Sequence, residues 1–123
     1  MHRTSAYCIV LTTLPSELEA DALARQVIEA RLGACVQLQP VTSLYRWQGE
    51  LCKAQEWQLA IKTRQALFAA LSRFIAERHG YETPEIVKVP IINGAPGYLR
   101  WLDDETQDQP QAGTDGPGWI GPN

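Results

Sequence analysis

The chain has 123 residues, which suits a single domain with a core of its own. Its formal net charge of -3 offers no basic field to attract phosphates, and this argues against a nucleic-acid partner. The apolar run Ala6–Leu11 is far shorter than the about 20 residues that span a bilayer, and no small-residue cleavage site follows it. We therefore predict a strand there, and neither a membrane segment nor a signal peptide.

The three cysteines, Cys8, Cys35 and Cys52, are too widely spaced for a disulfide framework or a Cys-x-x-Cys metal knuckle. A reducing cytoplasm is the location that this pattern favours. Cys8 and Cys35 are flanked by apolar residues, so we expect both to be small buried hydrophobic side chains.

A first helix follows the strand. Ser16 and Glu19 form a capping-box pattern, and Gly33 offers a left-handed end. Apolar residues recur between them at helical spacing: Ala20, Leu23, Ala24, Val27 and Ala30.

A long hairpin is predicted next. Residues 34–47 are rich in strand formers, with a bend or bulge expected at Pro40. Gln48-Gly49 is a turn signal, and the chain returns through residues 56–63. There Trp57, Leu59 and Ile61 alternate with polar or small residues, as in a strand with one buried face.

The last predicted elements are a helix over 64–79 stopped by Gly80, a strand over 85–91 and a short helix over 96–102. The order strand, helix, strand, strand, helix, strand predicts an α+β fold, the ferredoxin-like βαββαβ sandwich, with both main helices on one face of a four-stranded antiparallel sheet. We place this domain at residues 1–106 and a flexible tail at 107–123, where apolar residues are scarce apart from Trp119 and Ile120.

Self-assembly is the first functional inference. The hairpin carries more aromatic and apolar side chains than two helices on one face can cover, among them Tyr45, Trp47 and Trp57. An unpaired strand edge invites another chain, and head-to-tail contacts between identical subunits can close into a ring. The alternative is that Trp47 and Trp57 stack on each other and pack inward.

Several segments resemble the CutA divalent-cation tolerance proteins, in order and over about residues 6–105: ACV at 34–36, TSLYRWQG at 42–49, IKTR at 61–64, HGYETPEI at 79–86 and YLRWL at 98–102. The resemblance implies a ferredoxin-like subunit, a tight homotrimer built through the hairpins, a cytoplasmic protein linked to copper tolerance, and a trimer similar to the PII signalling proteins. The copper ligands of the family, a cysteine and two adjacent histidines, fall here on Thr12, Arg78 and His79.

The residues themselves indicate a candidate site after the second helix. His79, Glu82 and Glu85 offer an imidazole and carboxylates for a weakly held Cu or Zn ion, completed by water or a neighbouring subunit. Nearby side chains expected at a cleft between subunits are Tyr81, Lys62, Arg64, Arg78 and Thr12. Structural roles are the alternative: His79 as a helix cap, Tyr81 as a seal, and the glutamates as ion-pair partners or solvated groups.

No phosphate loop or nucleophile elbow is present in the sequence, so we expect no enzyme. Two functions remain open. One is a trimeric protein of divalent-metal tolerance or response. The other is a PII-like module that holds a small ligand between subunits and engages an unknown protein partner.

Overall fold

The computed structural model describes residues 5–108, so most of the predicted tail, with Trp119 and Ile120, lies outside the described residues. The elements in chain order are β1 (Tyr7–Leu14), α1 (Glu17–Glu29), β2 (Cys35–Trp47), β3 (Glu50–Arg64), a short 3-10 turn (Gln65–Leu67), α2 (Phe68–Arg78), β4 (Val87–Ile91) and α3 (Pro96–Glu105).

The strands form one antiparallel sheet in the order β2-β3-β1-β4. This arrangement confirms the predicted α+β fold with its βαββαβ order and terminal helix. Strands β2 and β4 are the two edges of the sheet.

The hairpin is longer than the rest of the sheet. Strands β2 and β3 pair without interruption from Cys35 opposite Lys62 to Trp47 opposite Glu50, whereas β1 pairs only with the second half of β3. The predicted bulge at Pro40 is therefore wrong, because Pro40 keeps its place opposite Trp57. An edge strand tolerates proline without a bulge when the missing N–H faces away from the sheet.

The predicted turn is present. Gln48 and Gly49 both have positive φ, 51° and 84°, as a tight two-residue turn between right-twisted strands requires.

Helix α1 begins as the sequence predicts. The Ser16 hydroxyl accepts a hydrogen bond from the Glu19 backbone N–H at 3.2 Å and donates to the Glu19 carboxylate at 2.9 Å. Both halves of the interaction hold the first turn, where free N–H groups and the helix dipole favour an acceptor.

The predicted glycine stops are wrong. Helix α1 ends at Glu29, and the left-handed residue beyond it is Arg31, with φ of 58°. After α2 the chain becomes extended at His79, and Gly80 is not left-handed either. Gly33 has a different role: a Cβ built there would lie 2.6 Å from Ile61 Cγ2, so glycine permits a close approach of α1's end to β3.

The two faces of the sheet differ. On one face, Cys8, Val10, Leu59 and Ile61 pack with buried residues of α1 and α2. The other face, called the open face below, carries Tyr7, Ile9 and Leu11 on β1 opposite Ile91, Val89 and Val87 on β4. Thr13 on β1 lies on the same face, beyond the last β4 pair. Val87 and Val89 are 44% and 43% exposed there. Neither main helix covers this face.

Helix α3 crosses one end of the open face. The Tyr7 hydroxyl donates to the Asp103 carboxylate at 2.8 Å, and Lys62 Nζ lies 5.9 Å from the centre of the Tyr98 ring. Gln107, assigned above to the tail, donates its backbone N–H to the Arg31 carbonyl at 2.9 Å. No helix within residues 5–108 is long and apolar enough to cross a membrane.

Cys8 is fully buried, as predicted, and loss of solvation raises the pKa of its thiol to about 11. Cys35 is only half-buried, so the burial predicted from its apolar neighbours in the sequence is wrong.

Candidate functional site

A cavity of about 590 Å³ opens beside the hairpin and is called the hairpin cavity below. Its walls come from the end of β1, the outer half of the hairpin and the loop from α2 to β4. They are formed by Thr13, Ser43, Leu44, Tyr45, Trp47, Glu56, Tyr81, Glu82, Thr83 and Glu85.

His79 fastens the α2–β4 loop to the end of β1. Its Nε2 lies 2.7 Å from the Thr13 carbonyl oxygen, and its Nδ1 accepts the Tyr81 backbone N–H at 3.1 Å. A carbonyl only accepts, so this pair of contacts places the proton on Nε2. Both ring nitrogens are therefore engaged in holding the loop.

Tyr81 carries the same connection across to β3. Its ring lies against the His79 ring, with centres 4.8 Å apart, and its hydroxyl donates to Glu56 Oε2 at 2.8 Å. Glu56 is only 7% exposed although it lies in the part of β3 that has no β1 neighbour. The loop itself thus contributes to the burial of this carboxylate.

The pKa of the Tyr81 phenol is raised, first by burial and then by the hydrogen bond and negative charge of Glu56. The folded state therefore resists ionisation that the unfolded chain undergoes at about pH 10. The Tyr81 phenol therefore contributes to the free energy of unfolding below that pH. This contribution is lost as the pH rises toward the pKa of the phenol in the folded state.

Between about pH 9 and about pH 11, we expect the free energy of unfolding to fall less in the Tyr81→Phe variant than in the wild type, because the variant lacks the phenol that ionises on unfolding. Urea denaturation at each pH measures this difference. Equal losses in the two proteins would contradict a raised pKa for the Tyr81 phenol.

The structure brings part of the predicted site together. Tyr45, Trp47, Tyr81, Glu82 and Glu85 all line the hairpin cavity. Within residues 5–108, however, no three side chains of His, Cys, Asp or Glu are grouped closely enough to hold a metal ion. A metal site at His79, Glu82 and Glu85 therefore stays a prediction, and the described residues alone do not form it.

Thr12 does not lie at a cleft. It shares the helix-covered face of β1 with Cys8 and Val10, is fully buried, and its hydroxyl has no hydrogen-bond partner in the part of the chain that the structure describes. The strand alternation places the next residue, Thr13, in the hairpin cavity instead.

Trp57 points to the same helix-covered face, where it is half-buried against the core beside its partner Pro40. It is not opposite Trp47, which pairs with Glu50 near the turn. The two tryptophans therefore do not stack across the hairpin, and only Trp47, 43% exposed, offers a large free surface.

The three predicted cationic residues lie away from the cavity of their own chain. Arg64 donates to Thr106 Oγ1 at 3.0 Å and to the carbonyls of Gln107 and Asp108, at the far end of β3, and Lys62 faces α3. Arg78 stays on its own helix, with its guanidinium 3.5 Å from the centre of the Phe74 ring. None of the three forms an ion pair with Glu82 or Glu85 in the described chain.

Five residues of the cavity wall were not predicted as site residues: Thr13, Ser43, Leu44, Glu56 and Thr83. The sequence could have indicated Glu56, because acidic residues are uncommon inside strands and a buried carboxylate needs a hydrogen-bond or charge partner. Thr13 and Ser43 carry no comparable signal.

Residues 8–105 match the family model of the CutA1 divalent ion tolerance protein. The chain belongs to the CutA1 family. It is 44% identical to the divalent-cation tolerance protein CutA of Thermus thermophilus, over 80% of this chain and 96% of that protein. It is 40% identical to the mouse protein CutA over 83% of this chain, and spans only 58% of the length of that relative.

Solved CutA1 structures agree with the fold. The rice CutA1 crystal structure superposes with a TM-score of 0.83 at 34% identity, covering 86% of this chain and 98% of the rice chain. CutA of Archaeoglobus fulgidus, named a periplasmic divalent cation tolerance protein, gives a TM-score of 0.81 at 33% identity, covering 82% of this chain and 99% of that one.

Proposed function

We propose that this CutA1-family chain acts in tolerance of divalent cations, chiefly copper, as a cytoplasmic homotrimer. The names of its relatives support the role in cation tolerance, and they describe no reaction, which fits a function other than catalysis.

The uncovered open face is the observation that supports the proposed self-assembly. Val87 and Val89 remain exposed there, and Tyr45 and Trp47 add apolar surface on the same side of the hairpin. Val87 and Val89 lie beside Leu11 and Ile9 of the neighbouring strand β1, and adjacent apolar side chains of this kind mark an interaction site in soluble proteins. A second copy of the chain is the occupant that we propose.

A closed ring follows from the two edges of the sheet. Strands β2 and β4 each lack a neighbour on one side within the subunit, and β2 continues into the protruding hairpin. Head-to-tail contacts between different edges of identical subunits close into a ring when the rotation allows it. Three subunits would place each hairpin beside the next subunit's cavity, so that Lys62 or Arg64 of a neighbour completes the cleft.

Direct metal binding is proposed to be weak. Glu82 and Glu85 line the hairpin cavity with oxygen donors, and His79 lies at its edge. For His79 to coordinate an ion, it must release either the Thr13 carbonyl or the Tyr81 N–H. The lost hydrogen bond, about 1 kcal/mol, is subtracted from the binding energy.

Calorimetric titration with Cu(II) or Zn(II) tests His79 as a ligand. We expect His79→Ala to bind at least about tenfold more weakly, since a lost ligand costs no less than a lost outer partner. The matched control is His2→Ala, which removes the only other histidine of the chain. Equal affinities in wild type and His79→Ala would reject His79 as a ligand while leaving the tolerance role to be tested by metal sensitivity of cells lacking the protein.

The hairpin cavity favours a second function, a PII-like module that holds a small molecule in the clefts between subunits and passes its state to a protein partner. A volume of about 590 Å³ falls in the range of small-molecule sites. Its walls come from three separate parts of the fold, so a ligand there would stabilise their arrangement.

A further inference from the structure

A groove of about 530 Å³ lies on the helix-covered side of the sheet, between α2 and edge strand β4, and is called the α2 groove below. Lys88 of β4 forms one wall, and the 3-10 turn and α2 form the rest. Lys88 pairs with the core residue Val10, so its side chain points away from the open face. A neighbour seated on the open face therefore lies on the other side of the sheet from this groove.

The α2 groove combines apolar and cationic surface. Phe68, Ala69 and Ala76 supply apolar surface, and Lys88 Nζ lies 4.8 Å from the centre of the Phe68 ring. Arg73 also lines the groove, and no aspartate or glutamate is among the described residues that do so. Since cations attract the faces of aromatic rings, such a surface fits an aromatic side chain in a segment without positive charge.

The chain leaves α3 beside one end of this groove. Arg64 donates from Nη2 to the carbonyls of Gln107 and Asp108, and the next residue of the chain, Gln65, lines the groove. Gln107 is also held by two hydrogen bonds to the chain just after α1. The segment that follows Asp108 therefore starts from a fixed point near the groove. These contacts engage Arg64, which leaves Lys62 as the cation that a neighbour would bring to the hairpin cavity.

The sequence of residues 109–123 complements the groove. It holds one pair of large apolar residues, Trp119 and Ile120, and its one charged side chain is that of Asp115. A glycine flanks the pair on each side, so the backbone can approach a surface closely. Pro117 and Pro122 fix φ nearby, which lowers the entropy lost on binding.

The length of chain between the fixed point and the pair suits the groove. Trp119 lies eleven residues after Asp108, and a flexible chain of that length spans about 18 Å on average. The groove extends along α2 from Phe68 to Ala76, which is about 12 Å. A tether matched to its target gives an effective concentration in the millimolar range, so the chain's own segment competes well with any separate partner.

We propose that Trp119 and Ile120 dock in the α2 groove of their own chain. In this arrangement the indole ring lies against Phe68, with the Lys88 ammonium and the Arg73 guanidinium at its rim. The inference goes beyond the function proposed above and does not depend on it. A neighbour's hairpin laid along the β4 edge is the competing occupant, and the experiments below separate the two.

Backbone amide NMR spectra of the assembled full-length protein test this assignment. Trp119→Ala removes the ring, so we expect the amide signals of residues 68–76 and of Lys88 to shift. Gln111→Ala changes the same segment without removing an apolar side chain, and it should leave those signals in place. Unchanged signals of the groove in Trp119→Ala would overturn the proposal. Signals that respond to dissociation of the subunits and not to Trp119→Ala would assign the groove to a neighbour instead.

A synthetic peptide of residues 109–123, titrated into the Trp119→Ala protein, measures the affinity. We expect the peptide to bind the wild type about tenfold more weakly, because it must displace a segment present at millimolar effective concentration. Equal binding to the two proteins would show that the chain's own segment does not occupy the site.

A variant that fills the groove locates the binding of the peptide. Ala76→Trp, added to Trp119→Ala, places a ring in the groove and should weaken peptide binding about tenfold. Ala66→Trp, in the 3-10 turn outside the groove, is the matched control and should bind as Trp119→Ala alone does. Both alanines are exposed, so neither change disturbs the core. Peptide binding that Ala76→Trp leaves unchanged, or no binding at millimolar peptide, overturns the groove as the site.

Discussion

Val89→Glu is expected to convert the assembled protein into single subunits. Val89 lies on the open face of edge strand β4, opposite Ile9, and is 43% exposed in the isolated subunit. If a second copy covers this face, the new carboxylate is buried without a counter-charge, at a cost of about 3–5 kcal/mol for each contact. Sedimentation should fall from three times the 13.7 kDa subunit mass to that mass itself.

Leu18→Glu is the matched control, because it makes the same change of apolar to acidic at a side chain that is 81% exposed on α1. It should sediment as the wild type does. A wild type that sediments as a monomer would contradict the proposed assembly, and a Val89→Glu protein that remains trimeric would remove the open face as the interface.

Gly33→Ala should destabilise each subunit by about 1–3 kcal/mol, the usual cost of overfilling a well-packed core. The added methyl group would lie 2.6 Å from Ile61 Cγ2 and 3.0 Å from Val27 Cγ1. Both neighbours are fully buried, and both branch at Cβ, so neither can swing aside without disturbing the sheet or the helix. Urea denaturation measures the loss.

The same substitution at Gly97 distinguishes two effects of Gly→Ala on stability, namely crowding in the folded state and reduced flexibility of the unfolded chain. Gly97 lies within α3, and nothing would stand within 4 Å of a Cβ there. Gly97→Ala should therefore stabilise the protein by up to about 1 kcal/mol, since alanine restricts the unfolded chain and favours a helix. Stability losses of similar size at the two positions would contradict the packing role of Gly33.

The order and type of the elements could be predicted because local patterns determine them. The Ser16–Glu19 capping box, the apolar stripe of α1 and the Gln48-Gly49 turn all report interactions between residues close in sequence. The alternation of Trp57 with Leu59 and Ile61 indicates the helix-covered face on which the structure has Trp57, whereas its aromatic character had led us to expect it among the uncovered side chains of the hairpin.

The interactions that escaped prediction join distant residues. The contact of Tyr81 with Glu56 spans the whole of α2, and that of His79 with the Thr13 carbonyl joins the α2–β4 loop to β1. No pattern within a window of sequence encodes such distances. Gly33 shows the same effect, because its role depends on how closely α1 approaches Ile61 and not on its own backbone angle.

The protruding half of the hairpin links stability to concentration. Beyond Trp57, β3 has only β2 as a neighbour, and a two-stranded ribbon by itself is barely stable in water. Its tip would become firmly structured only when other copies lie against it, so dilution should loosen the tip and dissociate the subunits in one linked equilibrium. The melting temperature would then rise with the amount of protein in the sample, as for proteins whose folding is completed by association.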